Sequence, residues 1–233
     1  MIYPKEWNGL TPYVKVLIVL FLFCLPTRGL AEDDFQYRQL LSLKVIDTKK
    51  VDLVFFNQMR LNHNAQDVSF YLMSPQLKFD FWKNLQLGLN YTHLNFKAFN
   101  AAAGREEFRF HHRLELEVNP HWDIGEHFKV SMRNRYEFRW IENIGSDRDR
   151  FRHRTNVEVP FKNVLPLQAI FANSEFFYDF VDHRYNENWT VPFGLKFKVN
   201  EHVNFSIFYM LQSRVTDTWT STQILGTHLM VNF

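Results

Sequence analysis

The segment from Arg105 to Val118 (REEFRFHHRLELEV) constrains this chain more than any other. Every second residue places Arg105, Glu107, Arg109, His111, Arg113, Glu115 and Glu117 on one face. Glu106, Phe108, Phe110, His112, Leu114, Leu116 and Val118 fall on the other. Period two is the mark of a strand, because successive side chains of an extended backbone point to opposite sides. Two later segments repeat it. Lys129 to Trp140 sets Arg133, Arg135, Glu137 and Arg139 against Met132, Tyr136, Phe138 and Trp140. Arg148 to Phe161 sets Arg148, Arg150, Arg152, Arg154 and Glu158 against Phe151, His153, Thr155, Val157, Val159 and Phe161. A soluble sandwich buries its apolar face and wets the polar one. A polar face this rich in Arg and Glu, opposite one this rich in Phe, Leu and Trp, fits the converse: an apolar exterior in lipid and a charged interior.

Eleven such segments begin near Phe35, Val51, Val68, Leu85, Arg105, Phe128, Asp149, Leu167, Asn188, Val203 and Gln223, separated by turn-like clusters. Beyond the leader described next, no segment approaches the 18 consecutive apolar residues of a transmembrane helix. The expected fold is all-β: one antiparallel transmembrane β-barrel over residues 32–233, of about 10–12 strands. Bacterial single-chain barrels usually have an even strand count. The pattern therefore predicts 10 or 12, with Phe35 to Ile46 the segment in question. Pro75, Pro160 and Pro192 interrupt strand segments and should mark ends or bulges. Trp82, Trp122, Trp140, Trp189, Trp219 and Tyr178 lie near segment ends, as interfacial aromatic girdles would.

At the other end of the chain, Lys5 and Lys15 precede the apolar run Val16 to Leu25, followed by Pro26 and the small-x-small triplet Gly29-Leu30-Ala31. Ten apolar residues are too few to span a bilayer as a helix. The order is that of a secretory signal peptide cleaved after Ala31, so residues 1–31 are expected to be removed. The single cysteine, Cys24, goes with the leader, and export without cysteines fits a bacterial envelope better than a disulfide-stapled secreted domain. Loss of Lys5, Lys15, Arg28 and Glu6 leaves 24 charges of each sign. A generic nucleic-acid binder would carry a basic excess, so no nucleic-acid partner is expected.

Gln223 to Phe233 (QILGTHLMVNF) closes the sequence with Leu225, Leu229, Val231 and Phe233 on one face. Leu229, Val231 and the terminal Phe233 form a candidate assembly signal for the outer membrane. The expected partners are accordingly outer-membrane lipids and lipopolysaccharide, the barrel-assembly machinery with periplasmic chaperones, and small anionic solutes.

The Arg- and Glu-rich segments REEFRFHHRLELEV, MRNRYEFRW and RDRFRHRTNVEVPF, with EFFYDF at Glu175 to Phe180, FGLKFKVNEHVNFSIFYMLQ at Phe193 to Gln212 and the terminal LGTHLMVNF, resemble the uncharacterised outer-membrane family called domain of unknown function 2490. The resemblance covers nearly the whole mature chain in order and spacing. It implies a barrel in the outer membrane and transfers no catalytic residues.

The candidate functional feature is a lumen-lining charge network. Arg105, Arg109, Arg113, Arg133, Arg135, Arg139, Arg148, Arg150, Arg152 and Arg154 face inward against Glu107, Glu115, Glu117, Glu137, Glu158, Glu175 and Asp179. Buried charges must be paired, and the planar Arg fork bonds carboxylates bidentately, so the network is first a structural one, supported by opposite charges across strands. The ten Arg outnumber the seven acids, so the same wall should favour anions. This yields a narrow porin-like channel or a structural envelope barrel. A lipid-modifying enzyme and a soluble periplasmic binding barrel are the alternatives.

Catalytic, cofactor and metal sites are not expected. His111 and His112 point to opposite faces and cannot chelate one ion. None of the ten histidines has a Ser two residues away. His153 and Thr155 share a face without an acid in reach to orient the imidazole, Asp149 being too far along the strand.

Overall fold

The computed structural model describes residues 31–100, 103–142, 148–162, 166–215 and 218–233. The expected leader lies outside them up to residue 30. The tips of four expected connections, at residues 101–102, 143–147, 163–165 and 216–217, lie outside them as well.

Eleven strands follow one another: β1 (Ala31–Asp47), β2 (Val51–Asn62), β3 (Asp67–Trp82), β4 (Leu85–Asn100), β5 (Arg105–Ile124), β6 (Phe128–Ile141), β7 (Arg150–Pro160), β8 (Leu167–Asp179), β9 (Arg184–Lys198), β10 (Val203–Val215) and β11 (Trp219–Asn232). Each pairs antiparallel with the next, and β1 closes the barrel against β11. Closure leaves no edge with unpaired backbone groups.

The count corrects the even-number expectation. Phe35 to Ile46 is a full wall strand, and an odd number of up-and-down strands forces the first and last to run the same way. The β1–β11 seam is parallel, registered from Phe35 on Gln223 to Lys44 on Asn232. Nothing in a hydrogen-bond ladder forbids this, since parallel bonds are slanted but evenly spaced. Side chains support the seam on both faces: Tyr37 Oη lies 2.6 Å from Thr227 Oγ1 outside, and Ser42 Oγ lies 2.8 Å from His228 Nε2 inside. The terminal Phe233 donates its backbone N–H to the Lys44 carbonyl at 3.0 Å.

Two of the three prolines behave as expected. Pro160 ends β7, and Pro192 sits where β9 slips register against both β8 and β10. Pro75 does neither. It lies inside β3, in register with Phe55, while the β3–β4 ladder skips Ser74 and Pro75. Side chains span the gap, Thr92 Oγ1 donating to Ser74 Oγ at 2.8 Å.

The two faces divide as the alternation predicts. Leu77, Phe79, Phe81, Leu89, Phe108, Phe110, Leu116, Trp140 and Phe176 stand exposed on the outside. Arg113, Glu115, Glu117, Arg135, Glu137, Arg150, Arg152 and Glu175 are buried inside. Among the described residues no helix is long and apolar enough to cross a membrane.

Parallel closure predicts a crosslink. With Cys24 replaced by Ser, the pair Leu41→Cys and Leu229→Cys, which are register partners on the outer face, should form a disulfide in the folded barrel. The pair Leu41→Cys and Leu225→Cys, offset by four residues or about 13 Å, should not. The mobility of the oxidised chains in a denaturing gel distinguishes these results, and a crosslink in the second pair alone would refute the register.

Candidate lumen site

The inward residues of β5 to β8 come together as one network, partly through direct cross-strand pairs of opposite charge and partly along diagonals. Glu117 faces Arg135 and Glu137 faces Arg150, but other direct partners are alike: Glu115 faces Glu137, Arg113 faces Arg139, Arg135 faces Arg152 and Arg133 faces Arg154. Like charges directly opposite are destabilising. The long Arg side chains offset this by reaching diagonally as well as straight across. Arg135 spans Glu115 (2.8 Å) and Glu117 (2.5 Å). Arg152 spans Glu137 (2.7 Å) and Glu175 (2.9 Å).

Glu137 is the hub. It is fully buried, and its Oε2 accepts from Arg150 Nε and Nη2 at 2.9 and 2.7 Å. Its Oε1 accepts from Arg152 Nη1 at 2.7 Å, and Arg113 Nη1 lies 3.7 Å from Oε2. Glu175 accepts from Arg133 Nη2 at 2.7 Å and Arg152 Nε at 3.0 Å. Asn90 and Thr92 of β4 bind the Glu115 oxygens, each at 3.2 Å. The partners are numerous because a carboxylate removed from water must recover several hydrogen bonds.

The remaining expected members sit at the periphery. Arg105 pairs with Glu107 at 2.9 Å where β5 begins, its side chain 75% exposed, at the rim rather than in the lumen. Arg109 is half-buried further along the same strand. Arg148 precedes β7 and lines a small cleft with Arg139 and Asp179, whose ion pair spans 3.8 Å. Glu158 pairs with Lys196 at the opposite end. Leu229, Val231 and Phe233 share the outer face, where Leu229 and Phe233 are exposed.

The lumen holds charges that the sequence reading missed. Arg38, Arg60, Lys78, Lys196 and Arg214 line it, and so does Glu187. Their signal is the same parity on weaker strands, where a single charge stands among Gln, Ser and Phe: Gln36-x-Arg38 and Gln58-x-Arg60. Trp189 also corrects the girdle reading. It points inward between Glu187 and Val191, its Nε1 donating to Glu187 Oε1 at 2.6 Å.

A cavity of about 770 Å³ runs along this interior. Its lining extends from Asn62, Ser69 and Thr220, near the β2–β3 and β10–β11 connections, to Glu158, Lys196 and Met230 near the other end. Thirteen Lys and Arg line it against three Glu. Glu115, Glu117, Glu137 and Asp179, buried in the wall, do not restore the balance. Lys78 and Arg154 have no hydrogen bond or ion pair among the described residues. Glycines shape one side of the cavity. A Cβ at Gly194 or Gly226 would collide with the ring of Phe171 or Phe208, so both aromatics lie flat on bare backbone.

Removing the hub carboxylate by Glu137→Gln should strand several buried guanidinium groups and cost about 3–5 kcal/mol. Arg105→Gln at the rim should cost within about 0.5 kcal/mol. Urea unfolding followed by tryptophan fluorescence measures both, and equal losses would contradict the hub assignment.

A family model described as "Protein of unknown function (DUF2490)" matches residues 36–222. Among curated proteins none matches the chain.

Proposed function

We propose that this chain, which belongs to the DUF2490 family, is an outer-membrane barrel that passes small anionic solutes through its lumen. One observation carries the reading: the cavity reaches from near one rim to near the other and is lined by far more cations than acids. Rings of Arg and Lys lower the barrier for anions and raise it for cations. The network of β5 to β8 serves the wall, since its arginines are spent on carboxylates. Selectivity belongs instead to cations that form no ion pair among the described residues, such as Lys78 and Arg154.

Placement in a membrane rests on the outer face. A belt of exposed Phe, Leu, Tyr and Trp around a closed barrel far exceeds the apolar patches of soluble monomers, and lipid covers it without cost. The leader expected over residues 1–31 supplies the export that such a location requires. Lipopolysaccharide and the barrel-assembly machinery belong to this reading as partners.

In a planar bilayer under a salt gradient, the refolded mature chain should give discrete openings and a reversal potential on the anion side. The double variant Lys78→Gln, Arg154→Gln should move that potential toward zero while the barrel still folds, because neither residue forms an ion pair or hydrogen bond among the described residues. A folded barrel without conductance, or an unchanged potential in the variant, would count against the proposal.

A second reading, an acyl-ester hydrolase on the lipid-facing wall, draws on Thr155. Its Oγ1 lies 3.0 Å from His153 Nε2, and His153 Nδ1 lies 2.7 Å from Asn134 Oδ1. Asn134 Nδ2 donates to the Val118 carbonyl at 3.1 Å, which turns its oxygen toward the imidazole. Asn134 thus supplies the orientation that the sequence reading sought in an acid. The chain of contacts has the form of a nucleophile, base and orienting group. Against it, Thr155 stands halfway along β7, at a height where water for deacylation is scarce. Labelling by a fluorophosphonate and fatty-acid release from phosphatidylethanolamine vesicles, both abolished by Thr155→Ala, would establish this activity; neither in the folded chain would dismiss it.

A further inference from the structure

The lumen contains a pair of arginines arranged unlike all the others. Arg38 of β1 and Arg60 of β2 are direct register partners, two like charges side by side across a ladder. Elsewhere in the network a carboxylate contacts at least one member of each such pair. Here every contacting partner is neutral. Arg38 Nη2 donates to Gln212 Oε1 at 2.9 Å and Nη1 to Met210 Sδ at 3.7 Å. Arg60 Nη2 donates to the Gln58 side-chain oxygen at 3.0 Å, with that amide turned to face it. The nearest acid, Glu187, already accepts from Gln212 Nε2 (2.5 Å), Trp189 Nε1 (2.6 Å) and Arg214 Nε (2.7 Å).

The guanidinium groups are held by aromatic faces instead. Arg38 Cζ lies 4.4 Å and Arg60 Cζ 5.1 Å from the Trp189 ring centroid, and Arg60 Cζ also lies 4.0 Å from that of Phe70. Stacking fixes the two planes, and N–H groups beyond those given to Gln212, Met210 and Gln58 remain to bind. Arg38 is 3% exposed, and its Nε is buried without any partner. A buried unpaired guanidinium N–H is costly, and an incoming carboxylate would remove the cost by accepting from it.

The surroundings define the rest of the ligand. Both arginines line the cavity, and so do two apolar groups on either side of β1. One is Phe70, Leu72 and Leu94 on β3 and β4. The other is Val191 and Met210 on β9 and β10, with Phe208 packed against them. A hydrated inorganic anion gains nothing from such walls. A molecule with an acid head and an apolar body gains on both counts. The cavity, at about 770 Å³, lies within the range of small-molecule sites.

We propose that the lumen binds an amphipathic organic acid, its carboxylate held between Arg38 and Arg60 and its apolar body lying against the Phe70–Leu94 and Val191–Met210 walls. The proposal deepens the anion-conduit reading by naming a solute class and a resting place, but the site depends on the fold alone.

The test is calorimetry on the refolded full-length mature chain in a zwitterionic detergent, with 4-phenylbutyrate as probe and acetate and 4-phenylbutylamine as controls. Phenylbutyrate should bind saturably, at least tenfold more tightly than either control. The variants Arg38→Gln and Arg60→Gln should each weaken it at least tenfold, and Arg105→Gln at the rim should leave it within about twofold, which separates this site from the overall positive charge of the chain. Circular dichroism confirms that each variant folds; should Arg38→Gln fail to fold, Arg60→Gln carries the comparison. Acetate binding as well as phenylbutyrate, the amine binding as well as the acid, unchanged affinity in the folded arginine variants, or no binding by the folded chain would each overturn the proposal. Because no membrane is involved, a barrel that binds but does not conduct refutes only the conduit. A barrel that conducts but does not bind refutes only this site.

Discussion

The interior of this barrel depends on how arginine reaches carboxylate. A closed sheet of eleven strands encloses a space lined largely by polar and charged side chains rather than a dry core. Each charge there must find a partner within the length of its own side chain. Register sets Arg135 opposite Glu117 and Arg150 opposite Glu137, but it also places like beside like at Glu115–Glu137 and Arg135–Arg152, where guanidinium groups extend along the diagonals to reach a carboxylate. Glu137, contacted by arginines from β5, β6 and β7, joins three strands through one group.

The consequence for the lumen is a division of labour. Where carboxylates are plentiful, arginine is structural and contributes little net field to the space beside it. Where no ion pair forms among the described residues, at Arg38, Arg60 and Lys78, the charge remains available. The two kinds lie on different parts of the wall. The paired set crowds β5 to β8, while Arg38, Arg60 and Lys78 belong to β1 to β3, beside Phe, Leu, Met and Trp side chains. A solute in the cavity would therefore meet a stiff, neutralised wall on one side and a cationic, partly apolar one on the other.

Much of the fold was legible because period-two alternation is local. The starts of the eleven segments fall within a few residues of the strands, and the paired faces of Arg105 to Val118 separate as read. The network members of β5 to β8 were legible for the same reason: charge density on one parity is visible without knowing the neighbours. Arg38 and Arg60 were not, since one charge per strand among Gln and Ser carries no statistical weight until the register sets the two side by side. Trp189 was misplaced because the ninth segment was read as starting near Asn188, whereas β9 begins at Arg184 and carries Trp189 well inside the strand. Asn134 escaped notice because its relation to His153 runs across a ladder.

The amino-acid sequence by itself determined that the chain forms amphipathic strands, which residues share a face, and that one face is apolar and the other charged. These follow from backbone geometry and side-chain chemistry over a few residues. Only the tertiary structure decided that the strands number eleven with a parallel seam, that charges pair both straight across and diagonally, and that Arg38 and Arg60 stand together without an ion pair. Those outcomes depend on register, which is a relation between segments distant in the chain. A slip of one residue there changes every neighbour while leaving each strand's own pattern intact.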